Sequence, residues 1–344
     1  YLLNDPQVIS GTGLGNINSL KILLSLAQNA ESQHTEVLIT RTLYHIANGV
    51  LDEAKSGGQP TELQMYQDAN GQVNESVHAL AVSENLVPLL QILARNCRDP
   101  TQPIMLMAII RSVSWDREAA PALVQQGIVG LLADVIDAVQ SGNGMSFAAR
   151  IDCAIACRNY AEASGIFLSS QKPTGIPADD LLAKMDSDGA IDRVLNRVLD
   201  GEDGKALELK RYFTQSLCWM SSSSLASRQI LKRNQAEQEG KYEDGATLNV
   251  VACLSKMLHG GGPALTRESV VALHYLALQS EGPSVLLEEG VFDTVTTLGT
   301  HSDKIIRFSC EAVLALLSPL LTGVRKGTLS KVIALCLDED RDDD

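Results

Sequence analysis

The chain has 344 residues, 45% of them apolar, 20% charged and only 4% aromatic, and its 28 Lys and Arg against 42 Asp and Glu leave a formal net charge of −14. That apolar content excludes wholesale disorder. The acidic balance argues against a nucleic-acid backbone or an anionic membrane as the main partner, because both call for clustered Lys and Arg. No stretch approaches the roughly 20 apolar residues that a membrane-spanning helix needs; runs such as Ile104–Ile110 and Val313–Leu317 are core-sized. The chain starts at Tyr1 with no initiator Met, which reads as a piece of a longer chain. Seven scattered cysteines, most among apolar residues, suit packed thiols in a reducing compartment: cytoplasmic, or nuclear.

In chain order the elements are helix after helix. Apolar residues recur at i, i+3, i+4 and i+7, as in Leu20/Leu23/Leu24/Ala27 and Leu86/Leu89/Leu90/Leu93. Period-2 stretches are scarce. A recurring unit joins a short helix, a Gly turn and a leucine-rich helix. It reads Pro121-Ala-Leu-Val-Gln-Gln-Gly127-Ile-Val-Gly-Leu-Leu and returns as Ser284-Val-Leu-Leu-Glu-Glu-Gly290-Val-Phe-Asp-Thr-Val. Looser copies place Gly189 and Asn85 at the turn. Gly and Asn tolerate the left-handed backbone that ends one helix and redirects the chain into the next.

A longer third helix follows each unit. Its markers are His45, Trp115, Asn159, Trp219, Tyr275 and Ala315, at intervals of 70, 44, 60, 56 and 40 residues. Two intervals fit a period of about 42. The excesses fall in polar, Gly-rich insertions near 52–71, 164–180 and 233–245, and an acidic tail occupies 338–344.

This three-helix unit, with its Gly turn and Leu-rich middle helix, resembles the armadillo repeat. The resemblance covers nearly the whole chain as about six degenerate units. It implies an all-α, right-handed superhelical α-solenoid forming one repeat domain over 1–344, with the third helices lining a concave groove. In that family an Asn at the marker position clamps a peptide backbone, and here only Asn159 keeps it. One and two turns earlier on the same face lie Val37/Arg41, Met107/Arg111, Ile151/Ile155, Arg211/Gln215, Arg267/Val271 and Arg307/Glu311. Arg and aromatic residues are enriched at binding hot spots, and both tryptophans of this aromatic-poor chain fall in these rows.

The expected partner-binding groove is therefore Arg41, His45, Arg111, Trp115, Asn159, Arg211, Gln215, Trp219, Arg267 and Tyr275. Its expected occupant is an extended segment carrying acidic and apolar residues, or a partner domain. An importin-like mode needs a Trp one turn before each Asn, where this chain has Arg41, Arg111, Ile155, Gln215, Val271 and Glu311. No nucleophile–base pair or metal set is apparent, so catalysis, cofactors and metals are not expected. A scaffold is the main reading. A UCS-type myosin chaperone and a regulatory armadillo domain of a larger enzyme are the alternatives that the resemblance leaves open.

Overall fold

The computed structural model describes residues 17–30, 32–48, 75–97, 99–140, 145–169, 178–199, 206–238, 248–259, 262–322, 327 and 329–330. Among them all regular structure is helical. The insertion expected near 52–71 and the acidic tail 338–344 lie outside the described residues.

Among the described residues the helices fall into six successive repeats. The first shows α1 (Ile17–Gln28) and α2 (Gln33–Asn48). The second has α3 (Glu75–Ala81), α4 (Leu86–Arg95) and α5 (Gln102–Ser114). The third has α6 (Ala120–Gln125), α7 (Ile128–Gln140) and α8 (Phe147–Ser169). The fourth has α9 (Ala178–Ser187), a π-helical stretch Ala190–Leu195 running into α10 (Asn196–Val198), and α11 (Leu207–Ser221). The fifth has α12 (Ser224–Gln238), α13 (Val250–Met257) and α14 (Gly262–Ala277). The sixth has α15 (Gly282–Glu288), α16 (Val291–Leu298) and α17 (Lys304–Leu317).

Where the sequence reading expects one domain, packing divides the chain into two compact units. One is Tyr1–Ile176 with Ser187–Val198, and the other is Pro177–Asp186 with Leu199–Asp344. In the first unit the third helices pack side by side, α2 on α5 and α5 on α8; in the second, α11 packs on α14 and α14 on α17. No repeat buries its apolar stripe alone, so neighbours complete each other's core. Leu43, Leu106, Ile109, Val113, Cys153 and Cys157 are fully buried in the first unit. Phe213, Leu217, Leu273, Leu276, Val313 and Leu317 are fully buried in the second.

The turns confirm most of the repeat grammar. Gly127, Gly189 and Gly290 sit at φ of 89°, 97° and 71°, the left-handed region that a Cβ penalises. Asn85 departs from it, with φ −89° in the right-handed region. Here the connection is longer: the Asn85 N–H donates to the Ser83 hydroxyl at 3.3 Å, so no left-handed residue is needed.

Two insertion boundaries are corrected. The helix expected to break near 164 continues as α8 to Ser169, with Ser164 fully buried. The segment expected to leave helix at 233 continues as α12 to Gln238. Its charge is internally matched: the Arg233 guanidinium donates to both Asp186 oxygens at 2.9 Å. The stretch 233–238 is thus helix rather than loop.

Candidate functional site

All the expected groove residues lie on or at the end of a third helix. Their environments differ, and the two units are taken separately.

In the first unit Arg41 is exposed on α2, with His45 half-buried one turn later. The His45 and Tyr44 rings lie edge to face, with centroids 5.7 Å apart. On α5 the Arg111 Nη1 donates to Asp152 Oδ1 of α8 at 2.7 Å, with side chains 13% and 16% exposed. Trp115 caps the C-terminus of α5 and is half-buried. Met107, expected in the same row, is fully buried, and its sulfur accepts from the Cys153 thiol at 3.2 Å.

Asn159 is a correction. It is only 5% exposed, and its amide is used inside the protein. Asn159 Nδ2 donates to Ser114 Oγ at 3.0 Å, and its Oδ1 accepts from Arg158 Nη1 at 2.7 Å. Next to it the fully buried Tyr160 hydroxyl donates to the Ile110 carbonyl at 3.1 Å, and burial pushes that phenol far up. Asn159 thus joins α8 to α5 instead of presenting an amide at the surface. Its neighbour Ile155 is also buried. The family's clamp position is an internal joint in this chain.

In the second unit Arg211 is exposed on α11, and Gln215 and Trp219 are half-buried on the same face. Gln215 Nε2 donates to Glu268 Oε1 of α14 at 2.9 Å. Beneath them Cys218 has its thiol pushed up to about 12 by burial and by the charge of Glu268. Arg267 is exposed on α14 and donates to Asp303, the N-cap of α17. That bond, with the Ile305 and Ile306 N–H groups, holds the Asp303 carboxyl below its usual value. Tyr275 is half-buried and lies parallel to the ring of His274, with centroids 6.1 Å apart.

The electrostatic expectation therefore changes. Arg111 and Arg267 are committed to carboxylates on the neighbouring repeat, whereas Arg41 and Arg211 are exposed and make no such bridge among the described residues. Sequence reading also passed over exposed apolar residues: Leu207, Leu278 and Phe308 are 58%, 55% and 66% exposed. Phe308 adjoins Arg307 in the last row and could have been found by treating the row as one residue wider.

Among the described residues no group of three His, Cys, Asp or Glu is placed to hold a metal ion, and the six described cysteines are free thiols. No described helix is long and apolar enough to cross a membrane.

Together the three-helix repeats, the left-handed glycines and the side-by-side third helices define an armadillo-like, all-α solenoid. No protein-family model matches the chain, and no curated protein matches it. Solved structures do match in fold. An engineered protein is 16% identical with a TM-score of 0.51, the match covering 88% of this chain and 97% of that one. A designed armadillo repeat protein is 17% identical with a TM-score of 0.49, covering 86% of this chain and 99% of that one. A related design, solved in complex with a (KR)4 peptide, is 18% identical with a TM-score of 0.49 and the same coverage.

Proposed function

We propose that the chain is a non-enzymatic protein-binding scaffold that holds a partner segment or domain along the solvent-facing side of its third helices. The observation that carries this reading is that Trp219 and Tyr275 take equivalent positions on the packed helices α11 and α14, both half-buried. Aromatic rings in such a setting offer rigid contact area at low entropic cost. Arg211 lies on the same face two turns before Trp219, and on α2 Arg41 lies one turn before His45. On the second unit the partner segment is extended, with apolar side chains for the rings and a carboxylate for Arg211; on the first unit Arg41 offers a separate contact for a carboxylate. His45, Trp115 and Gln215 contribute contact area, while Arg111, Arg267 and Asn159 support the helices beneath. The free thiols suit a cytoplasmic setting.

Peptide-display selection on the intact chain tests this. Enriched peptides should alternate apolar and acidic residues, and binding should fall with rising salt. Arg211→Glu and Trp219→Ala should each weaken them. Peptides that ignore both substitutions would overturn the assignment of the face.

A further inference from the structure

Helix α17 carries apolar residues on two sides. One side, with Ile306, Cys310, Val313, Leu314 and Leu317, is buried in the second unit. The other carries Ile305 and Phe308, 47% and 66% exposed, followed along the same stripe by Ala312, Ala315 and Leu316. Leu320, just beyond the helix, is 51% exposed. A helix that is apolar on both sides is ordinarily covered on both. Phe308 is the most exposed of the large apolar side chains among the described residues.

We infer that this second stripe is a two-fold interface for a second copy of the chain, packed as an antiparallel α17 pair. The stripe is self-complementary in charge and size. Lys304 and Glu311 lie two turns apart on one flank of the stripe, with opposite signs. In an antiparallel pair related by a two-fold axis like flanks meet. With the axis beside Phe308, Lys304 of each copy falls opposite Glu311 of the other, so the pairing forms twice. The two Phe308 rings then pack across the axis, and the small Ala312 and Ala315 leave room for them. One helix pair is a small interface, so the dimer is weak, in the micromolar range or above. The stripe includes Ala315, the last marker position, and is flanked by Glu311 of the same row, but neither Trp219 nor Tyr275 belongs to it, so the inference does not need a partner segment at those rings.

Sedimentation equilibrium on the intact chain, from about 1 to about 200 μM, tests it across the range where small interfaces associate. The mass should rise from one copy toward two. Phe308→Asp should leave one copy throughout. Lys304→Glu and Glu311→Lys should each weaken association by roughly tenfold or more, through two like-charge contacts. The double exchange should return it to within about threefold of the parent. Lys304 is exposed and Glu311 half-buried, and circular dichroism checks that the charge variants keep the parent's helix content even where Phe308→Asp does not fold. Trp219→Ala should leave association unchanged. A mass of one copy at all concentrations, or a double exchange that fails to restore association, would overturn the inference.

Discussion

Arg111 and Asp152 join α5 to α8 across 2.7 Å, and neither side chain is more than 16% exposed. The pair links two repeats, so its arginine acts in cohesion before it can act in recognition. Removing one partner of a largely buried pair strands the other charge away from water. Asp152→Ala should therefore lower stability by about 2–4 kcal/mol in chemical denaturation, and Arg111→Met with Asp152→Leu together should cost less than either alone.

Asn159 makes a parallel case. Its Nδ2 bond to Ser114 crosses the same α5–α8 contact, while its Oδ1 accepts from Arg158 within α8. Asn159→Ala leaves the Ser114 hydroxyl without that donor in a buried setting and should cost about 1–3 kcal/mol of stability. Selected peptides should bind the folded variant as they bind the parent.

How far the sequence reveals this molecule can be judged from these residues. The period, the six units and the glycine turns were readable because each is local: apolar spacing fixes a helix, and Gly127 or Gly290 fixes where it ends. The marker positions also landed on third helices in every repeat. What was not readable depends on pairs of repeats. Arg111 looked like a free cation because Asp152 is 41 residues away. Asn159 looked like a clamp because the family uses that position so. In α8, however, the polar neighbour Ser114 on the preceding third helix draws it inward. Arg233–Gln238 looked like a loop because charge was read as exposure, while Asp186 supplies a matched partner.

The glycine turns should resist substitution. Gly290→Ala keeps the positive φ of 71° at the expense of a Cβ, with open space around it, so the penalty is conformational rather than steric. Stability should fall by about 1–2 kcal/mol. The Asn85→Ala change, at a right-handed backbone, should cost clearly less in the same urea titration.

The pH dependence has a definite sign at His274. Burial lowers its pKa from the usual 6.5. A base with a depressed folded pKa favours folding in its neutral form, so the unfolded chain takes up the proton more readily. Stability contributed here is fully present above about pH 6.5 and falls as pH drops through that value toward the lower folded one. Thermal melts of the parent and His274→Gln at about pH 8 and about pH 5 should show the parent losing ground to the variant on acidification.

The most direct measurement on the binding face is a paired one on Trp219→Ala: its thermal or urea melt, and its affinity for a peptide selected on the parent chain. The account predicts a loss of binding of at least about 2 kcal/mol, roughly thirtyfold, with less than about 1 kcal/mol lost in stability. A loss of about 3–5 kcal/mol in stability with peptide affinity intact would return Trp219 to the core and contradict the account.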